Sequence, residues 1–276
     1  MIVNTYPIQA RDGAGSLTVY LLDDQHLASP APRPMVVVVP GGAYGGLAPT
    51  ESEPVAVQML ARGFNACVFR YDVRPAVFPT ALQELALAVA FLRDNAAQFN
   101  IDPRRIIVAG FSAGGHLTAS LGTLWHHAFL SELCGMENER FRPTGLVLSY
   151  PVITSGKYAH QGSILNLLGD RYGDPELMEL VSLEKQVSAE TPPTFIWSTV
   201  TDAVVPVENT LLFACALQRH KVDYELHVYP RGPHGLALVT EDTIEIGNAA
   251  ELQDIADWPD HAAVFLRRIC AGERCD

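Results

Sequence analysis

The spacing of apolar and polar positions changes repeatedly along the chain, and each change marks an element. Residues 2–9 and 16–22 are short β-prone runs, and the intervening Asp12-Gly13-Ala14-Gly15 predicts a hairpin. A Pro- and Ala-rich stretch, 26–34, predicts a surface loop. Met35-Val36-Val37-Val38-Val39 is unbroken by any polar residue, as a strand covered on both faces of a parallel sheet would be. It runs into a glycine-rich turn, Pro40-Gly41-Gly42-Ala43-Tyr44-Gly45-Gly46. Thr50 with Glu53 three residues on predicts a capping box opening a helix, whose apolar stripe takes in Val55, Val57, Met59 and Leu60.

The alternation continues with a strand at Asn65–Arg70, a helix over 80–98, a strand over 105–109 and a helix over 113–125. Strands at 144–150, 194–199 and 223–229 and helices at 206–219 and 249–269 complete it. Strands taking turns with helices indicate an α/β protein with a mainly parallel sheet and helices on both faces. No repeat, low-complexity tract or linker interrupts it, so residues 1–276 read as one domain. Residues 152–190 hold only short helical pieces between two strands and are the one place for a small lid.

Composition narrows the partners. The formal net charge is −12, which argues against nucleic acid and anionic membrane surfaces. No apolar run approaches the roughly 18 residues that span a bilayer, and the first residues show no basic segment followed by an apolar one. The five cysteines form no Cys-x-x-Cys pair, and Cys67, Cys134 and Cys215 sit in or beside apolar runs. They are expected to be buried thiols in a reducing compartment, which makes a soluble cytoplasmic protein the expectation.

The chemistry begins at Gly110-Phe111-Ser112-Ala113-Gly114, between the strand 105–109 and the helix 113–125. A serine hydroxyl carried above a sheet edge needs a turn too tight for neighbouring Cβ atoms, and Gly110 and Gly114 have none. The Ala113 N–H then opens the helix and points at whatever the serine attacks.

Serine needs a base, normally a histidine held by a carboxylate. Nine histidines compete. His227 falls inside a strand, His220 at a helix end, His116 and His261 inside helices, and His126 and His127 behind the elbow helix; His26 precedes the sheet and His160 lies in the presumed lid. Only His234 directly follows a strand, in Pro230-Arg231-Gly232-Pro233-His234-Gly235. For the acid, Asp202 follows the strand 194–199 just before a helix; a turn or N-cap role competes there, and Glu208 is in reserve. The order Ser112, Asp202, His234 suits three successive loops of one doubly wound sheet. Besides Ala113, the N–H groups of Gly42 and Ala43 are candidates for an oxyanion hole, whose donors are typically worth about 3–4 kcal/mol each. Tyr44 is expected to wall the acyl pocket.

With these residues placed, the chain resembles an α/β-hydrolase over nearly its full length. It is most similar to small bacterial esterases acting on acetylated or feruloylated carbohydrates, related to the hormone-sensitive-lipase-like group. The matches are Pro40-Gly41-Gly42-Ala43-Tyr44, Glu51-x-Glu53-Pro54-Val55-Ala56, Phe69-Arg70-Tyr71, the elbow through His116, Tyr150-Pro151-Val152, Asp202-x-x-Val205-Pro206 and Pro230-x-Gly232-x-His234-Gly235. Pro40 and Ala43 stand where that group usually has the first His and last Gly of His-Gly-Gly-Gly; the N–H groups survive both changes, but the contact a His side chain would make beneath the turn does not. The resemblance implies an eight-stranded sheet and a serine hydrolase that cleaves short acyl esters, acetyl groups on carbohydrates in particular. No His-Glu-x-x-His motif, cysteine cluster or phosphate loop occurs in the sequence, so no metal or other cofactor is expected. Small-amide hydrolysis on the same triad, of the arylformamidase or peptidase kind, stays open, as does assembly into a homo-oligomer. A non-catalytic binding protein on the same fold would lack a triad member, and none is missing.

Overall fold

Alternate residues of the valine run face opposite sides of the sheet, and both sides are dry. Val37 and Val39 join one apolar cluster and Val36 and Val38 the other, all fully buried, as the strand period of two requires. The computed structural model describes residues 1–23, 31–241, 243 and 252–273. His26, Cys275, most of the expected 26–34 loop and the first residues of the expected 249–269 helix lie outside the described residues.

The strands are β1 (Ile2–Gln9), β2 (Ala14–Leu21), β3 (Arg33–Val39), β4 (Asn65–Arg70), β5 (Ile101–Phe111), β6 (Gly145–Ser149), β7 (Thr194–Thr199) and β8 (Tyr224–Tyr229). They form one sheet in the order β1-β2-β4-β3-β5-β6-β7-β8. The β1–β2 hairpin is antiparallel, as is its seam with β4, and every later pairing is parallel. The expected α/β architecture, mainly parallel with eight strands, is therefore present.

The helices are α1 (Glu53–Ala61), α2 (Thr80–Asp94), α3 (Ser112–Leu124), α4 (Ala128–Cys134), α5 (Gln161–Leu168), α6 (Pro175–Leu180), α7 (Glu208–Arg219) and α8 (Trp258–Cys270). Residues of α2, α3 and α7 pack into the cluster on one face, and residues of α1 and α8 into that on the other. On α8 the buried positions Trp258, Ala262, Phe265, Leu266 and Ile269 make one stripe at helical spacing. No helix among the described residues is long and apolar enough to cross a membrane.

Several local expectations are corrected. Thr50 does not cap α1: Pro49–Glu51 form a 3-10 turn, Ser52 precedes the helix, and its hydroxyl turns back to donate to the Ala48 carbonyl at 2.9 Å. Prolines 49 and 54 on either side set these two short helical pieces. Val57 points out of α1, on the face away from the buried Val55, Ala56, Met59 and Leu60. Helix α2 stops at Asp94, where Asn95 donates its amide to the Phe91 carbonyl. Strand β5 begins early, because Ile101 pairs with Arg33 before the register shifts. Cys67 is buried and Cys134 half-buried, but Cys215 is exposed on the outer face of α7.

Strand order decides where a crevice can form. The chain leaves β3 toward β4 on one side and returns through β5 on the other, so the carboxyl ends of β3 and β5 flank a switch point where the connections diverge and leave a gap.

Candidate active site

Ser112 sits at that switch point on a strained turn. Its φ is +51°, a left-handed value that costs a non-glycine residue about 1–3 kcal/mol. A Cβ on Gly110 would stand 2.2 Å from the Gly114 carbonyl oxygen, and one on Gly114 would stand 2.2 Å from that of Val39. The backbone of the elbow is thus packed against itself and against the end of β3, and no side chain fits at either position.

The structure brings the three separated residues together. The Ser112 hydroxyl lies 2.7 Å from His234 Nε2, and His234 Nδ1 lies 2.6 Å from Asp202 Oδ2. Asp202, 7% exposed, uses its other oxygen to accept from the Val204 and Val205 N–H groups at 2.9 Å each. The turn role that competed for Asp202 is therefore real, and one carboxylate fills both positions. The loops after β7 and β8 are tied to each other: the Thr199 and Thr201 hydroxyls both donate to the Gly232 carbonyl, at 2.7 and 3.2 Å. The reserve candidate, Glu208, lies in the first turn of α7 and does not bond the imidazole.

Ser112 and His234 open into a cavity of about 330 Å³ lined also by Gly42, Ala43, Glu51, His160, Val204, Pro233 and Leu236. Among the described residues the Gly42 and Ala43 N–H groups find no acceptor. Ala113 follows Ser112 at the start of α3, where N–H groups lack intrahelical partners.

Tyr44 does not wall this cavity. Positive φ values at Ala43 and Tyr44, 55° and 56°, roll the ring under the turn, where it is 2% exposed. Its hydroxyl lies 2.9 Å from His116 Nδ1, and His116 Nε2 lies 2.9 Å from the Val181 carbonyl. A carbonyl can only accept, so Nε2 carries the proton and Nδ1 accepts from Tyr44. Burial lowers the His116 pKa to about 4, which keeps this ring neutral. Tyr71 adds a hydroxyl donated to the Pro40 carbonyl at 2.9 Å. Tyr44, His116 and Tyr71 thus supply the support beneath the turn that the missing His would have given.

Two residues that carry no role in the sequence beyond their place in a motif prove structural to the site. Glu51, 3% exposed, accepts from the Gly41 N–H at 2.7 Å with one oxygen and from the Tyr150 hydroxyl at 2.8 Å with the other. Burial pushes its pKa up, and the two hydrogen bonds oppose that. The Tyr150 hydroxyl also accepts the Ala237 N–H at 2.9 Å, and its ring stands edge-on to His234 with centroids 5.0 Å apart. A glutamate one turn before an apolar helix looks like a solvated first-turn acid, so no local signal distinguishes it.

The segment 152–190 carries α5 and α6 and meets the site through His160, at the cavity, and Asn166, whose amide donates to the Ala43 carbonyl at 2.9 Å. Away from the cavity, Glu225 and His227 on β8 and His261 on α8 bring potential metal-ligand atoms within 4.8 Å of one another, a grouping that no spacing in the sequence announces.

The BD-FAE family model matches residues 24–217. Endo-1,4-beta-xylanase B of Butyrivibrio fibrisolvens is 39% identical over 249 residues, covering 87% of this chain and 37% of that protein. The acetylxylan esterase of Xylanibacter ruminicola is 30% identical over 232 residues, covering 81% of this chain and 44% of that one. The chain therefore spans less than half the length of these two relatives. Among solved structures, an acetyl ester-xyloside bifunctional hydrolase from Caldicellulosiruptor lactoaceticus superposes with a TM-score of 0.81 at 35% identity, covering 96% of each chain. The carboxylesterase Cest-2923 from Lactobacillus plantarum gives 0.87 at 27% identity, covering 100% of each.

Proposed function

The chain belongs to the BD-FAE family and is an α/β-hydrolase; on that premise we propose that it is a serine esterase that removes short acyl groups, acetyl in particular, from carbohydrate alcohols. The observation that carries the reading is the unbroken line of hydrogen bonds from the Ser112 hydroxyl through His234 to Asp202, beside two N–H groups without acceptors among the described residues.

In this reading Ser112 Oγ attacks the ester carbonyl and His234 Nε2 takes its proton. Asp202 holds the Nδ1–H and stabilises the imidazolium that forms. The oxyanion is received by the Ala113 N–H and by Gly42 or Ala43. The tetrahedral adduct collapses as Nε2 returns the proton to the departing alcohol, leaving an acyl-serine. Water enters by the same path and releases the acid. The cavity of about 330 Å³ is at the small end of ligand sites, which favours a short acyl chain. The names of the acetylxylan esterase and of the acetyl ester-xyloside hydrolase support a sugar as the alcohol.

The test combines turnover with labelling. The protein should release acetate from acetylated xylo-oligosaccharides and from p-nitrophenyl acetate, and a fluorophosphonate should modify Ser112. Labelling of another serine, or cleavage of acetyl anilides in preference to acetyl esters, would overturn the reading.

A further inference from the structure

His160 immediately precedes α5 and caps it through the ring. Nδ1 lies 2.8 Å from the Ser163 hydroxyl and 3.3 Å from the Ser163 N–H. A backbone N–H only donates, so Nδ1 is an acceptor and carries no proton; the neutral ring must then hold its proton on Nε2. Burial lowers the pKa of this imidazole and the neighbouring His234 lowers it further, against a smaller opposite effect of Asp202, so the neutral form prevails at neutral pH.

That Nε2–H has no acceptor among the described residues, while the half-buried ring lines the same cavity as Ser112 and His234. Several residues of that wall offer this N–H no free acceptor. Val204, Pro233 and Leu236 are apolar, and both Glu51 oxygens are already occupied. A side-chain N–H without a partner on such a wall discriminates between groups that carry an oxygen there and groups that do not.

We infer that His160 selects the alcohol half of the ester, its Nε2–H donating to a hydroxyl or ring oxygen of a sugar held beside Ser112. The inference rests on the ester-hydrolase reading and extends it to a residue that reads the leaving group. Its role is specificity, not proton transfer, which belongs to His234.

The test separates the cap from the donor. His160→Ser keeps an acceptor for the Ser163 N–H but is too short to reach the cavity, whereas His160→Asn keeps both an acceptor and a donor. The quantity to measure is the ratio of kcat/KM for a monoacetylated methyl xyloside to that for phenyl acetate, which offers no oxygen beyond its ester. His160→Ser should lower this ratio about tenfold, the size expected for one neutral hydrogen bond, mainly through KM, and His160→Asn should restore part of it. An unchanged ratio, as a purely structural cap would give, overturns the inference. So does a wild-type protein that hydrolyses phenyl acetate but not the xyloside ester, and that result leaves ester hydrolysis standing. A wild type inactive on both esters overturns the ester reading itself and this inference with it.

Discussion

The buried carboxylate of Glu51 joins the Gly41 N–H to the Tyr150 hydroxyl, and so couples the turn after β3 to the ring against which His234 rests. One side chain thereby spans the two halves of the proposed machinery, the oxyanion donors and the base. Glu51→Gln can keep only one of the two bonds with its original sense, and Glu51→Ala keeps neither. A lost hydrogen bond to a charged group is worth about 1.5–3 kcal/mol, so kcat on p-nitrophenyl acetate should fall about tenfold for Gln and up to about a hundredfold for Ala. Full kcat in a folded Glu51→Ala protein would show that the turn needs no such tie.

Ser112 combines a nucleophile's position with a strained backbone, and the two can be read apart. Ser112→Ala should lower ester turnover by at least about a thousandfold while leaving the thermal transition near wild type. Ser112→Gly should be equally inactive, yet relieve the φ of +51°. It should melt about 2 °C or more above the Ala variant, as roughly 1 kcal/mol of relief implies. Equal melting temperatures would mean that the elbow stores no strain at this residue.

The strands were legible because β-branched runs such as residues 36–39 are suited to burial on both faces of a sheet. The elbow was legible because its constraint is local: two missing Cβ atoms within five residues. Asp202 and His234 could be found from chain order, since both follow strands directly. What sequence could not disclose were roles fixed by distant partners. Glu51 takes its meaning from Tyr150, 99 residues away. The expected place of Tyr44 on the cavity wall failed for a related reason, because two consecutive positive φ values invert the turn and no residue preference at Ala43 or Tyr44 announces them. The Thr50 cap failed because flanking prolines outweighed a capping pattern.

Asp202 fills a loop role and a proposed catalytic role with different oxygens, and one substitution can divide them. Asp202→Asn keeps an acceptor for the Val204 and Val205 N–H groups but can present an amide N–H toward His234 Nδ1. The imidazole is then held in the wrong tautomer, and kcat should drop on the order of ten-thousandfold with little change in melting temperature. Asp202→Ala should lose comparable activity and also melt lower, since it leaves both loop N–H groups without an acceptor. An Asn variant that retains a tenth or more of the activity would remove Asp202 from the mechanism.

Stability should carry a pH signature from Glu84 on α2, a residue that does not line the cavity. Its Oε2 accepts the Asp72 N–H at 2.8 Å, and its Oε1 has no partner among the described residues. Burial, with the nearby Asp72 carboxylate adding to it, raises its pKa from 4.5 to about 7. The folded protein therefore binds this proton more tightly than the unfolded chain. The resulting stabilisation is complete below about 4.5 and is lost as pH rises through about 7. Glu84→Gln keeps an acceptor for the Asp72 N–H and cannot ionise. The melting temperature of the wild type, measured relative to Glu84→Gln, should thus fall steadily between pH 4.5 and 7 and flatten above that range. A difference that stays level across the interval, or rises, would mean that this carboxyl ionises at least as readily in the folded protein as in water.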